Sequence, residues 1–153
     1  MTRGIQKSNF IFQDIARFRT QMYDILISPY GLTTSQAAVL YRLFEEDEQT
    51  QSELAEKIKV GTVTLGGLVD RLEARGLVER RADPNDRRAN RVCLTQAAYP
   101  LGRHLKKCTR QLNDIANAGM TADMVEEMTH HLETVRENLL NALTEEKNGK
   151  GSE

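Results

Sequence analysis

No apolar run in the chain approaches the ~20 residues that a membrane span needs, so a membrane role is not expected. The opening residues, Met-Thr-Arg-Gly-Ile-Gln-Lys-Ser-Asn, hold no apolar stretch that would serve as a secretory signal. Cysteine is scarce: Cys93 and Cys108 are too few, and too ordinary in spacing, for a disulfide framework. A reducing, cytoplasmic setting is therefore expected. Catalytic signatures are missing too. There is no Ser/His/Asp order, no Gly-rich phosphate loop and no recognisable metal constellation, so an enzyme is not expected. No internal repeat is visible. An excess of one charge is also absent, and a net charge of −1 taken alone speaks against a nucleic-acid binder.

The charge that is there is unevenly placed. Residues 61–95 contain seven arginines (Arg71, Arg75, Arg80, Arg81, Arg87, Arg88, Arg91) against five acids, whereas residues 119–153 contain eight acids against three basic residues. A basic segment in a neutral chain is how a local phosphate-binding surface looks, although a solvated charged face looks the same by charge alone. With 153 residues, 39% hydrophobic and 28% charged, the chain has the size and composition of one globular domain with a real core.

Apolar periodicity divides the chain. Ile11, Ile15, Phe18, Met22 and Ile25 predict a helix over about 7–28, ended by Pro29 and Gly31. Thr33 and Gln36 form a capping box for a second helix with Ala37, Leu40 and Phe44 inward, closed in solvent by the acidic cluster 45–48. Thr50 and Glu53 form another, opening a short helix that Gly61 breaks. Thr62 is placed to cap the next, which runs to Arg75 with Gly76 at its left-handed end. Residues 77–81 and 91–94 read as two strands joined by the turn Asp83-Pro84-Asn85-Asp86. Thr95 is expected to cap a fifth helix, with Pro100 near its start, and a last helix carries Met124, Met128, Leu132, Val135, Leu139 and Leu143. The polar end of the chain is expected to fray.

The fold class is thus mainly α with a small β-hairpin wing: a winged helix-turn-helix flanked by dimerisation helices. The expected organisation is an N-terminal dimerisation helix over 1–32, a DNA-binding unit over 33–95, C-terminal dimerisation helices over 96–145 and a disordered tail over 146–153. A unit closed on its own core over 33–95 leaves the terminal stripes needing a surface, and a second copy supplies one.

Three runs carry a family resemblance: Ser52-Glu53-Leu54-Ala55, the stretch from Leu68-Val69-Asp70-Arg71-Leu72 through Gly76-Leu77-Val78-Glu79-Arg80, and Asp83-Pro84-Asn85-Asp86-Arg87-Arg88 followed by Val92-Cys93-Leu94-Thr95. Together they resemble the MarR family of bacterial regulators over nearly the whole chain. The resemblance implies a triangular dimer with the first, fifth and sixth helices interleaved. It also implies a recognition helix over 62–75 in the major groove and a wing arginine, here Arg87, in the minor groove. Small anionic aromatic effectors lodged between the dimer helices and the DNA-binding unit are implied as well.

The residues read consistently with this. Arg87 and Arg88 follow a tight turn at the ribbon tip, where no core needs them and a narrow minor groove would attract them; ion pairing with Asp83 or Asp86 is the compatible alternative. Thr62, Val63 and Thr64 occupy the helix turn that meets base edges, where hydroxyls reach phosphates or bases and methyls reach thymine; plain N-capping is the alternative for Thr62. Arg71, two turns on, suits a phosphate better than a base, and Gln51 and Ser52 are phosphate candidates at the preceding helix start. Gly66 and Gly67 stand where family members commonly carry polar or basic side chains. Gly67 is counted in the interface for close backbone approach, with neutral drift as the alternative.

For an effector, Arg17 could meet a carboxylate with Tyr41 as a wall, against a merely solvent-facing Arg17. His104 and Cys108 have the i,i+4 spacing of two metal ligands, but no third ligand is identifiable, so no metal or other cofactor is expected. Cys93 lies on a wing strand, whereas peroxide-sensing relatives keep the reactive cysteine in a first helix, and this one has none. The expected function is a sequence-specific transcriptional regulator: a homodimeric repressor on inverted-repeat double-stranded DNA, released by an effector. A winged-helix protein-interaction module without DNA binding is the alternative, and the basic wing tip favours the first.

Overall fold

The computed structural model describes the backbone of residues 2–86 and 88–149, and the side chains of 10–86 and 88–147. The chain forms two compact units, Met1–Asn113 and Asp114–Glu153. Among the described residues no helix is long and apolar enough to cross a membrane.

In the first unit, α1 (Thr2–Ile27) begins earlier than its apolar spacing indicated and passes into a 3-10 turn, Ser28–Tyr30, closed by Gly31 at φ 64°. The helix α2 (Thr34–Glu45) opens with the expected Thr33/Gln36 capping box. Its buried side is Ala37, Val39, Leu40 and Leu43, while Phe44 is only half-buried. The acids that follow are not simply solvated. Glu46 pairs with Lys57 at 2.7 Å, and Asp47 accepts the Leu94 N–H at 2.9 Å.

A two-residue strand, β1 (Gln49–Thr50), leads into α3 (Gln51–Ile58). The Thr50/Glu53 capping box is present, and the Thr50 N–H and hydroxyl hold the Glu53 carboxyl below its usual pKa. Two expectations change here. Lys59, in the left-handed conformation at φ 59°, ends α3 before Gly61 is reached. Gly61 rather than Thr62 is the N-cap of α4 (Thr62–Ala74), with no side-chain capping bond, because helical geometry already includes Thr62. Gly76 terminates α4 as expected, at φ 67°, with the Leu77 N–H reaching back to the Leu72 carbonyl at 3.0 Å.

The hairpin β2 (Val78–Ala82) and β3 (Asn90–Leu94) pairs Arg80 with Val92, and β1 adds to the free side of β3, giving the order β1-β3-β2. The wing is therefore anchored to the helix-turn-helix by a third strand. Thr95 does not cap the next helix; its hydroxyl donates to the Gly76 carbonyl at 2.5 Å. The helix α5 (Ala98–Ala116) begins there with Pro100 in its first turn, where no N–H is missed.

One apolar cluster fills this unit. It joins Leu40, Leu54, Leu65, Val69, Leu72 and Val92 of the winged part to Ile27 of α1 and Ala98, Leu105 and Cys108 of α5. The winged part is thus not closed on itself. A Cβ built on Gly102 would stand 2.6 Å from Phe44 Cζ, so α5 rests its bare backbone on that ring. In the second unit Gly119 (φ 85°) and Thr121, whose hydroxyl accepts the Met124 N–H, introduce α6 (Ala122–Gly149). The helix continues through residues 146–149, where a disordered tail was expected; Glu146 and Lys147 are good helix formers. Residues 150–153 lie outside the described residues.

Candidate nucleic-acid interface

Folding reduces the basic segment sharply. Arg80 donates to Glu73 at 2.5 Å, to Asp70 at 2.7 Å and to the Gln51 Oε1 at 2.9 Å. Burial works against its charge, but Asp70 and Glu73 outweigh burial and raise its pKa. Arg81 pairs with Glu79 and Glu48. Arg91 donates to Asp83 at 2.8 Å and to the Glu48 carbonyl at 3.2 Å. Arg75 donates to the carbonyls of Tyr30 and Gly31, both at 2.7 Å. Of the segment's described arginines, Arg71 and Arg88 are the exposed ones with no acidic or carbonyl partner for the guanidinium among the described residues. Arg87, the residue expected in the minor groove, lies outside the described residues.

The exposed side of α4 opens with Thr62, Val63 and Thr64, and Val63 is 90% exposed. Its buried side, Leu65, Leu68, Val69 and Leu72, locks the helix to the core. Gly66 and Gly67 are half-buried. A Cβ on Gly67 would meet nothing within 4 Å, and one on Gly66 only the Gln51 Nε2 at 3.8 Å. Nothing within the described chain therefore requires glycine at either place. Arg71 stands exposed about two turns beyond Thr64.

Between the start of α3 and the wing lies a cleft of about 260 Å³, lined by Thr50, Gln51, Ser52, Arg88, Ala89 and Asn90. It brings Arg88 of the wing together with Gln51 and Ser52, the pair that the sequence singled out at the start of α3. Gln51 also adjoins Gly66 of α4. The Gln51 carbonyl oxygen is already taken by Arg80, which leaves its amide N–H₂ uncommitted among the described residues. At the start of the wing turn Asp83 is buried, accepting the Asn85 N–H at 2.7 Å as well as Arg91. The Asn85 N–H first, then Arg91, hold its carboxyl below the ordinary pKa.

Sequence reasoning missed Arg80 as the tie between α3, α4 and β2, and missed Asn90 in the cleft. The i,i+3 pair Asp70/Glu73, seven to ten residues before Arg80, was the available signal for the first.

The remaining candidates separate. Tyr41 lines a second cleft of about 450 Å³ with Ala38, Arg42, Glu45, Lys57, Ile58 and Thr109. Its hydroxyl donates to the Leu105 carbonyl at 3.0 Å and contacts the Thr109 hydroxyl. Arg17 is not among that lining; it pairs with Asp14 at 2.5 Å and covers the Phe18 ring. His104 stacks on Tyr30, whereas Cys108 is buried with its thiol directed to the Leu26 carbonyl, so the pair is not brought together as ligands. Burial pushes both thiols, Cys93 and Cys108, above their ordinary pKa, the opposite of an activated cysteine.

Comparison with known proteins gives a consistent result. The MarR family model matches residues 32–89. The HTH-type transcriptional repressor NicR of Pseudomonas putida is 34% identical over 91 residues, 60% of this chain and 58% of that protein, so the match spans less than two thirds of its length. A MarR transcriptional regulator from Methanosarcina mazei is 30% identical with TM-score 0.79, covering 88% of this chain and 99% of that one. A probable transcriptional regulator from Pseudomonas aeruginosa is 31% identical with TM-score 0.69, covering 80% and 95%. With this sequence identity spread over the full fold, the chain belongs to the MarR family of transcriptional regulators.

Proposed function

We propose that the chain is a cytoplasmic, non-enzymatic repressor that binds inverted-repeat double-stranded DNA as a homodimer and is released by a small anionic or aromatic effector. The observation that carries the reading is the cleft that sets Arg88 and Asn90 against Ser52 and Gln51, with Gln51 adjoining Gly66 of α4. It combines a guanidinium, a free hydroxyl and the N-terminus of α3, which are phosphate-positioning groups, with a helix side offered to a groove. Arg71 extends the phosphate track, and Arg87 at the wing tip is assigned the minor groove on the family resemblance.

Dimerisation is supported by apolar side chains left in solvent. On α1 these are Ile11, Ile15, Phe18 and Ile25; on α6 they are Leu132, Val135, Leu139 and Leu143. Such stripes are stable when a partner covers them. The Tyr41 cleft suits the effector: its size is that of a small-ligand site, Ala38 and Ile58 offer apolar walls, and Arg42 and Lys57 offer charge. An anion there competes with Glu45 and Glu46, their present partners. Repression is inferred from NicR, which is named a repressor.

The test is selection of bound fragments from random and genomic DNA across several salt concentrations. The expected product is an inverted repeat with half-site centres about one helical turn, roughly 10–11 base pairs, apart. Failure to enrich any sequence at low salt would overturn the proposal.

A further inference from the structure

Resting on the DNA-binding reading above, we propose that Val63 selects thymine through its 5-methyl group, so that α4 reads its half-site by apolar contact rather than by paired hydrogen bonds. The first two turns of α4, residues 62–69, are Thr-Val-Thr-Leu-Gly-Gly-Leu-Val. They contain no Arg, Lys, Asn, Gln, Asp or Glu. The bidentate pairings that identify guanine (Arg or Lys) and adenine (Asn or Gln), and the carboxylate that accepts from cytosine, therefore have no source there. Nor does the neighbourhood supply one freely. Asp70 is bound to Arg80, and the Gln51 carbonyl oxygen is held by the same guanidinium. Arg71 lies about two turns along, at phosphate reach.

What remains is Val63, a residue 90% exposed whose side chain is an isopropyl group, flanked by the exposed Thr62 and Thr64. Because Gly61 is the N-cap, neither threonine is committed to closing the helix. A threonine hydroxyl donates or accepts with any base and discriminates little, whereas only thymine presents a methyl group in the major groove. The missing side chains at Gly66 and Gly67, which the chain's own packing does not demand, let the helix sit close enough for so short a residue as valine to arrive.

The experiment uses the full-length protein and the duplex obtained by selection. Each thymine of one half-site is replaced in turn by deoxyuridine, which removes the methyl and keeps every hydrogen bond. At one position per half-site affinity should fall about fourfold, the worth of one buried methyl-sized group. Val63→Ala, whose fold is checked by circular dichroism, should bind the unmodified duplex less tightly and no longer distinguish thymine from uracil at that position. Equal binding of every uracil duplex by the parent protein overturns the inference while leaving DNA binding intact. So does a Val63→Ala protein that still discriminates. If no duplex is selected at all, this inference falls together with the reading it rests on.

Discussion

Asp83 shows how much a single charge does in the wing. It is buried, accepts from the Asn85 N–H and from Arg91, and is thereby held in its ionised form. Its depressed pKa fixes the sign of a pH effect. The stabilisation is complete above the ordinary aspartate pKa near about 4 and is lost as pH falls through the lower native value. Urea unfolding of the parent should weaken more between about pH 5 and 3 than that of Asp83→Asn, which has no carboxyl to protonate; parallel curves would remove this role. Arg71 makes a different prediction, because it is exposed and has no acidic partner among the described residues. Arg71→Ala should lower affinity for all sequences alike and reduce the slope of log K against log salt by about two for the dimer, about one per protomer. A loss confined to one sequence, in titrations at several salt concentrations, would make Arg71 a base reader instead. At this scale the sequence was legible where the chemistry is local: both capping boxes lie within three residues of their partners. It was not legible for the arginines, whose partners come from elsewhere in the fold, as with Arg91 and the Glu48 carbonyl 43 residues away.

Two helical glycines illustrate what an element permits. On α4, alanine at Gly67 would meet open space. Gly67→Ala should therefore stabilise the free protein by several tenths to about 1 kcal/mol, from helix propensity and a restricted unfolded chain. DNA affinity should nevertheless fall if the helix backbone approaches the groove; thermal melts and a binding titration on one preparation check both halves. On α5 the same exchange has the opposite sign. The new Cβ of Gly102→Ala would press on the Phe44 ring, which already packs edge-on to Tyr99. Overpacking should outweigh the helix gain and leave a net loss of roughly 1–2 kcal/mol. A Phe44→Leu background should recover most of it. The main helices and the hairpin were readable from apolar spacing and turn chemistry. The strand β1 was not, since two residues carry no periodicity and acquire their conformation from pairing with Val92 and Arg91. The left-handed Lys59 was likewise hidden, because glycine two positions later looked the better breaker.

For the molecule as a whole, the unpartnered stripes of α1 and α6 predict a dimer. Light scattering at micromolar concentration should give twice the 17.3 kDa chain mass. Leu139→Glu, on an exposed apolar position of α6, should shift that mass toward one chain and weaken binding to the inverted repeat. An unchanged mass would move the interface elsewhere. The pairing of Arg80, Arg81 and Arg91 with the chain's own acids carries a further consequence, for how the protein searches a genome. Phosphate attraction sets the grip on random sequence, and each neutralised arginine subtracts from it. With net charge −1, and with Arg71 and Arg88 the segment's uncommitted arginines among the described residues, residence on unrelated DNA is expected to be brief. On the proposed function, the search for an operator is then expected to proceed more by repeated release and re-encounter than by long sliding. A weak grip on non-specific DNA at physiological salt is the measurement that checks it. Fewer copies would then be held by the vast excess of wrong sites, and a smaller cellular pool would occupy the right one.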